Sequence, residues 1–330
     1  MITFIVTTYN LEDYLLQRCL TSIVMQGIDD YEIIVVDDES EISPQHVIDE
    51  FTSQANIRLL TQRHSRQGAA RNLALSHAKG NWIQFVDGDD YLYPNTIQPC
   101  LELAEANKLD LLMFGYREVH DECTNESTLN ENNTKCTPQL QLSIITGNEY
   151  MLYHNLFGSC CTLLFQRTLL DAPKYGVPLR FAENIYIEDE EFVTQLVWRA
   201  QRMSKTDSIV YAYYQRPGST TRNNSRTHQR ELTDNYFIVI QRLIDFESTL
   251  NDHPHDGVTR KVRFLSIDIL RRALKSSDWE QQWTYASERL KQVGLFPLPH
   301  VKYTYTYAIF RMMSQSALGA KILRLVERLM

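Results

Sequence analysis

The feature that most constrains this chain is an alternation of short apolar runs with helix-spaced segments. Ile2–Thr7, Tyr31–Val36, Ile57–Thr61, Trp82–Val86 and Leu109–Tyr116 read as strands. Between them, Leu11–Gln26 carries Leu15, Leu16, Cys19, Leu20 and Ile23 at helical spacing, and Pro44–Phe51, Gly68–Lys79 and Pro94–Asn107 also read as helices. Strands that alternate with helices build βαβ units and hence a mostly parallel sheet. Ile33-Ile34-Val35-Val36 is apolar at four successive positions, as a strand covered on both faces should be. The predicted class is α/β, with a mostly parallel central sheet flanked by helices.

The pattern changes twice along the chain. Asp121–Pro138 is rich in Asn, Thr, Glu and Ser and predicts a surface loop. Ile209–Tyr214 reads as one more strand, and from about His228 the texture is helical: Leu232–Phe246, Val258–Leu274, Trp279–Val293 and Tyr303–Leu329. The expected division is an α/β domain over 1–222 and a helical C-terminal extension over 223–330. With 43% apolar and 22% charged residues the chain is expected to fold, and a formal charge of −8 argues against a general nucleic-acid binder. Six cysteines at irregular spacing, with no CxxC pair, suggest reduced thiols. The opening run Ile2–Val6 is too short for a signal sequence and no run approaches a membrane span, so the expected location is cytoplasmic.

In open parallel sheets, ligands bind beyond the carboxyl ends of the strands. Each strand end here carries a polar cluster: Thr7-Thr8-Tyr9-Asn10, Asp37-Asp38-Glu39-Ser40 and Asp87-Gly88-Asp89-Asp90. One aspartate pair at a strand end is usually turn chemistry. Two such clusters with an aromatic turn between them are harder to explain that way. Carboxylates spaced D-x-D suit a hard divalent cation, Mg²⁺ or Mn²⁺. Neither GxxxxGK nor a strand-linked GxGxxG is present, which removes the commonest NTPase and dinucleotide readings.

Together with Gly68-Ala69-Ala70-Arg71-Asn72, these clusters resemble glycosyltransferase family 2, whose members have the GT-A nucleotide-diphospho-sugar fold. The usual family pattern has proline, glycine and serine where this chain has Thr7, Glu39 and Gly88. The resemblance covers roughly the first 120 residues. It implies a donor half over about 1–120 and an acceptor half over about 140–222. Thr7, Tyr9 and Asp38 would surround the base and ribose of a nucleotide-sugar donor, and Arg66 and Arg71 would meet its phosphates. Arg71 serves equally well as a structural partner for an aspartate of the sheet edge. Asp89 would ligate Mn²⁺ or Mg²⁺, with Asp87 on ribose or metal. Tyr186-Ile187-Glu188-Asp189-Glu190-Glu191 is, on its face, an acidic first helical turn. By the resemblance, Asp189 becomes the general base and Glu188 a contact for acceptor or sugar. Arg216, in Tyr213–Thr221, would close over the diphosphate or simply lie in an exposed loop.

The activity so implied is inverting transfer from a UDP-linked sugar to a glycan or lipid-linked hydroxyl in bacterial surface polysaccharide synthesis. The rivals are a non-catalytic nucleotide-sugar-binding subunit and a nucleotidyltransferase, whose glycine-rich phosphate loop is missing. Near the C-terminus, Leu318, Ile322, Leu325 and Leu329 fall on one helical face and Lys321, Arg324 and Arg328 on another. Such a helix rests on the inner face of an anionic membrane, on its own domain, or on a second copy of the chain as a homodimer.

Overall fold

The computed structural model describes residues 1–120, 138–171, 177–216, 226–250 and 253–329. The polar segment 121–137 and the loop beyond Arg216 lie outside the described residues. By internal contacts the chain divides into two compact units, one of residues 1–147 and 157–223, the other of 148–156 and 224–330.

The first unit is built on an eight-stranded sheet. Its strands are β1 (Ile2–Thr8), β2 (Tyr31–Asp37), β3 (Ile57–Thr61), β4 (Trp82–Asp87), β5 (Tyr91–Leu92), β6 (Leu111–Val119), β7 (Leu163–Gln166) and β8 (Met203–Tyr214). They lie in the order β3-β2-β1-β4-β7-β6-β8-β5. Strands β3, β2, β1 and β4 run parallel, as do β6 and β8. β7 is antiparallel to both its neighbours and β5 is antiparallel to β8. All seven residues of β1 are buried, and so are six of the seven in β2, which explains their unbroken apolar pattern.

Helices α1 (Asp13–Val24), α2 (Gln45–Asp49), α3 (Arg66–His77) and α4 (Ile97–Ala106) connect the early strands. α4 starts three residues after Pro94, later than the sequence suggests. The Gln26 side chain accepts the N–H groups of Thr96 (3.0 Å) and Ile97 (2.9 Å), so a distant residue caps this helix. The four-residue β7, which had no signal above its surroundings, intervenes between β4 and β6. Because β6 is antiparallel to β7, β4 and β6 still point the same way.

The second unit is helical: α5 (Gly147–Tyr153, from Asn148 onward), α7 (Arg226–Thr249), α8 (Asp256–Lys275), α9 (Trp279–Gln292), α10 (Tyr305–Ser314) and α11 (Ala317–Leu329), while α6 (Glu188–Arg199) belongs to the first unit. Val239, Leu243, Leu265, Ile269, Leu270, Leu274, Ala286 and Leu290 form its buried interior. Buried Arg260 donates to the carbonyls of Met151 (2.9 Å) and His154 (2.5 Å), satisfying orphan acceptors at the end of α5. The stretch Tyr303–Leu329, expected as one helix, is two. The Ser316 hydroxyl accepts the Gly319 N–H at 3.0 Å and starts α11 afresh. Among the described residues, no helix is long and apolar enough to cross a membrane.

Candidate active site

Strand register decides where the polar clusters meet. Thr8 lies opposite Asp37, and Thr7 opposite Asp87, so the carboxyl ends of β2, β1 and β4 finish level. Two glycines bring the surrounding chain close. A Cβ on Gly88 would fall 2.8 Å from the Thr7 carbonyl oxygen, and one on Gly68 would fall 2.5 Å from that of Ala182. The glycine in place of the family's serine is therefore required here by space. Gly68 lets α3 press against the segment that leads into α6.

At the centre lies Arg71, a fully buried cation with 1% of its side chain exposed. One terminal nitrogen donates to Glu188 Oε1 (2.9 Å) and Asp189 Oδ1 (2.5 Å), and the other to Asp87 Oδ1 (2.9 Å). Gln67 donates to the same Asp87 oxygen at 2.6 Å. One positive charge thus faces three carboxylates. Burial opposes the charge on Arg71, but Asp189, Asp87 and Glu188 outweigh it and raise its pKa well above the usual value. On the acidic side, burial pushes Glu188 up to about 8, reinforced by Asp189 and opposed by Arg71. Burial also lifts Asp189 to about 6, with Arg71 holding it down and Asp87 pushing it up. The two carboxyls titrate as a coupled pair, both held above the ordinary carboxylate range by burial. Asp189 retains 22% of its side-chain surface, so it remains reachable.

Local backbone supports this placement. Ile187, immediately before α6, has φ +58°, which costs a β-branched residue about 1–2 kcal/mol. Asn10, Glu39 and Arg66 also have positive φ (44°, 68° and 68°). Strained residues gather where a site over-determines its backbone. The acidic first turn of α6 is at once a dipole-favoured helix start and the carboxylate pair of the site. Cys160, in the turn before β7, adds a weak thiol contact to Asp189 Oδ2 at 3.7 Å.

Asp89 and Asp90 have different partners. Arg216 Nε donates to Asp89 Oδ2 at 2.8 Å, and Arg18 donates to the Asp89 carbonyl at 2.7 Å. The Arg18 guanidinium lies over the rings of Tyr91 (4.8 Å) and Tyr214 (4.4 Å). Burial, then Asp87, raises the Asp89 carboxyl, and Arg216 opposes the rise. Buried Asp90 accepts the Tyr211 hydroxyl (2.5 Å) and the Tyr214 N–H (2.7 Å), which ties the turn after β4 to β8.

The other end of the edge is differently arranged. Asp38, expected at the base and ribose, is buried and spends both oxygens on the chain leading into α3. Oδ1 accepts Gln62 (2.7 Å) and the Ser65 N–H (2.9 Å), and Oδ2 accepts the Arg66 N–H (2.9 Å) and pairs with His64 (3.0 Å). Glu39 adopts the conformation that suits the family's glycine, and its carboxylate accepts the His64 N–H at 3.0 Å. Tyr9 is exposed and lies against the His64 ring, centroids 4.4 Å apart. Thr7 is nearly buried and its hydroxyl meets Gln67 at 3.3 Å. Arg66 lies over the Tyr186 ring at 4.1 Å, linking the start of α3 to the approach to α6.

The structure therefore gathers Asp87, Arg71, Glu188 and Asp189 into one cluster, sets Asp89 and Arg216 as a pair beside it, and leaves Tyr9 and Asp38 at the far end. Sequence reasoning missed Arg18, His64, Gln67, Cys160 and Tyr211. Gln67 and His64 flank the Gly68–Asn72 motif, and Arg18 is a cation set among the buried positions of α1, so each had a faint signal. Nothing in the sequence pointed Tyr211 at the turn after β4.

Asp87 and Asp89 also bear on a divalent cation. Their Oδ2 and Oδ1 atoms, respectively, have no side-chain partner among the described residues, and both side chains stay partly open. Among the described residues, no group of three or more His, Cys, Asp or Glu is placed to hold a metal ion. Two carboxylates alone would leave most of a hard cation's shell to phosphate oxygens and water.

Comparisons with known proteins bear on the family and the fold. The family model described as Glycosyl transferase family 2 matches residues 3–172, just over half of the chain. The chain is 28% identical over 225 residues to the uncharacterized glycosyltransferase EpsJ of Bacillus subtilis, covering 67% of this chain and 63% of that protein, less than two thirds of its length. It is 27% identical over 188 residues (57% of this chain, 68% of the relative) to Escherichia coli WfgD, named as a UDP-Glc:alpha-D-GlcNAc-diphosphoundecaprenol beta-1,3-glucosyltransferase. The crystal structure of residues 1–349 of S. aureus TarS in complex with UDP-GlcNAc superposes with a TM-score of 0.67 at 19% identity, over 99% of this chain and 90% of that one. That likeness establishes the GT-A fold. The chain belongs to glycosyltransferase family 2.

Proposed function

We propose that this chain transfers a sugar from a UDP-sugar, with inversion, to a hydroxyl of a glycan or lipid-linked saccharide in the assembly of a bacterial surface polysaccharide. The observation that carries this is the Arg71 cluster, which holds a reachable, ionised Asp189 beside the donor-side Asp87. Residues 1–222 form the catalytic part, with the donor bound over about 1–120 and the acceptor over about 140–222; 223–330 is the helical extension.

In the reaction, Asp189 takes the proton of the acceptor hydroxyl as that oxygen bonds to the anomeric carbon. The carbon–oxygen bond to the diphosphate breaks, and the diphosphate leaves with the electron pair. Glu188 is the partner of Asp189 in the coupled pair, and Arg71 fixes the orientation of both. Tyr9 and His64 offer ring faces to the base. Asp38 acts through the turn it organises. Thr7 lines the same edge, Arg66 stands at the start of α3, and Arg216 can exchange Asp89 for a phosphate oxygen. Asp89 and Asp87 would hold Mn²⁺ or Mg²⁺, which supplies charge neutralisation for the leaving diphosphate.

A lipid-linked acceptor would place the enzyme at an anionic membrane surface, and α11 suits that position. Leu318, Leu325 and Leu329 are exposed, whereas Glu327, the acid of this helix, is buried against Arg271 (2.6 Å) and Lys275 (3.5 Å). Lys321 and Arg328 remain at the surface. A two-fold dimer through this face would set like charges against each other, which favours lipid over a second copy. Sedimentation with phosphatidylglycerol but not phosphatidylcholine vesicles, lost in Leu325→Glu, is the expected result.

The donor assignment is tested by thermal shift with UDP, GDP and their sugars, with and without Mn²⁺, followed by donor hydrolysis. Stabilisation by UDP that depends on Mn²⁺ or Mg²⁺ is expected. UDP binding indifferent to metal would remove the metal from this account, and preference for GDP would remove the donor.

A further inference from the structure

Two aromatic rings with no part in the chemistry above stand at the same sheet edge. Tyr116 in β6 and Phe157 stack almost parallel, with centroids 5.2 Å apart and planes 13° apart. Yet they remain 37% and 52% exposed. Large aromatic surface left in water forgoes burial, and paired exposed rings mark contact surfaces more often than isolated ones do.

Each ring lies close along the chain or across the sheet to a residue that touches the site. Phe157 precedes Cys160 by three residues, a span of at most about 10 Å, and the Cys160 thiol touches Asp189. Tyr116 lies in register with Tyr211, whose hydroxyl accepts the Asp87 N–H at 3.1 Å and donates to Asp90. The β6–β8 register shifts on both sides of Gly115, just before Tyr116. Irregularities of this kind re-aim side chains beside active sites.

We propose that the Tyr116–Phe157 face is a subsite for the acceptor saccharide, holding a pyranose ring one or two sugars removed from the attacking hydroxyl. The short chain span from Phe157 to Cys160, whose thiol meets Asp189, keeps this face within reach of an acceptor extended by one or two sugars. The chemistry suits a sugar as well. A pyranose presents an apolar C–H face edged by hydroxyls. This ring pair presents an apolar face edged by the Tyr116 phenol, by exposed Glu118, two residues on in β6 and so on the same face, and by Glu190, whose carboxyl lies against Gly158. A lipid chain would need continuous apolar surface, which such a rim denies it. The subsite rests on Asp189 being the base that receives the acceptor.

The test uses the full chain and a fixed panel of octyl mono- and disaccharides of glucose, galactose, N-acetylglucosamine and rhamnose. Binding is read by saturation-transfer NMR, with UDP affinity and melting temperature measured in parallel. The expected result is that the wild type binds at least one disaccharide, and that Phe157→Ala and Tyr116→Ala each weaken it about tenfold. Phe157→Tyr and Tyr116→Phe should retain it, with UDP affinity and melting temperature unchanged. Equal binding by the alanine variants overturns the subsite, as does a wild type that binds no panel member, or a parallel loss of UDP affinity. Failure of the wild type to bind any nucleotide-sugar would instead remove the proposed function, since saccharide binding is read separately.

Discussion

The two ends of the catalytic edge are built on opposite electrostatic plans. At Asp38 a single carboxylate meets two backbone N–H groups, Gln62 and His64, so every lone pair is used and the turn into α3 is fixed. At Arg71 one guanidinium serves three carboxylates, and negative charge is left over. The first arrangement holds a shape. The second leaves carboxylates whose charge is only partly compensated. The difference teaches that saturation marks scaffolding, whereas unbalanced charge marks chemistry.

The most severe way to break the contrast is Arg71→Met. It strands Asp87, Glu188 and Asp189 without a cation, and loss of one partner from a buried ion pair costs about 3–5 kcal/mol. Urea unfolding should register this most strongly at high pH, where the carboxylates are ionised, and less as pH falls. Arg71→Lys should rescue little, because a point charge cannot reach both Asp87 and the Glu188–Asp189 pair.

Asp38→Asn probes the saturated end. Its amide would turn donors toward N–H groups and leave backbone donors unsatisfied, at about 1–3 kcal/mol. Unfolding should report that loss at neutral pH, together with weaker UDP binding, because the Tyr9–His64 pair loses its support.

Glu188→Gln sharpens the comparison with an effect read as a pH slope rather than as a loss at neutral pH. The native pKa of Glu188, about 8, lies above its unfolded value, so the folded protein holds a proton that the unfolded chain gives up. Wild-type stability therefore falls as pH rises from about 4.5 toward 8. Gln carries no such proton. The stability difference between Glu188→Gln and wild type should shift toward the variant across that window, by up to about 1.4 kcal/mol for each pH unit between the two pKa values. A difference that stays flat with pH would show that Glu188 is ionised throughout.

How legible these plans were in the sequence depends on the range of the interactions that make them. The parallel strands β1 to β4 announced themselves because burial on both faces leaves unbroken apolar runs, and their register alone brings Thr7, Asp37 and Asp87 level. β7 is too short to show a period, and α4 begins where Gln26, some seventy residues earlier, caps it. The motif around Arg71 suits a phosphate ligand or a structural partner equally well. The structure ties it to Glu188 and Asp189, more than a hundred residues away, a link that spacing could not reveal. Asp38 was assigned to the nucleotide because its neighbours resemble the family motif, but its hydrogen bonds run to residues whose backbone direction no pattern encodes. Glu39 at φ +68° marks the opposite case: it holds a conformation that favours glycine, the residue usual there in the family, although this chain lacks the glycine.

The central claim is that Asp189 is the base and that its neighbours exist to keep it ionised and aimed. The most direct test is Asp189→Asn, comparing donor affinity with single-turnover transfer to a verified acceptor at saturating UDP-sugar. General-base assistance is worth about 10²–10⁴-fold, so the rate should fall by that factor with donor affinity unchanged. Near-normal transfer by Asp189→Asn would contradict the account.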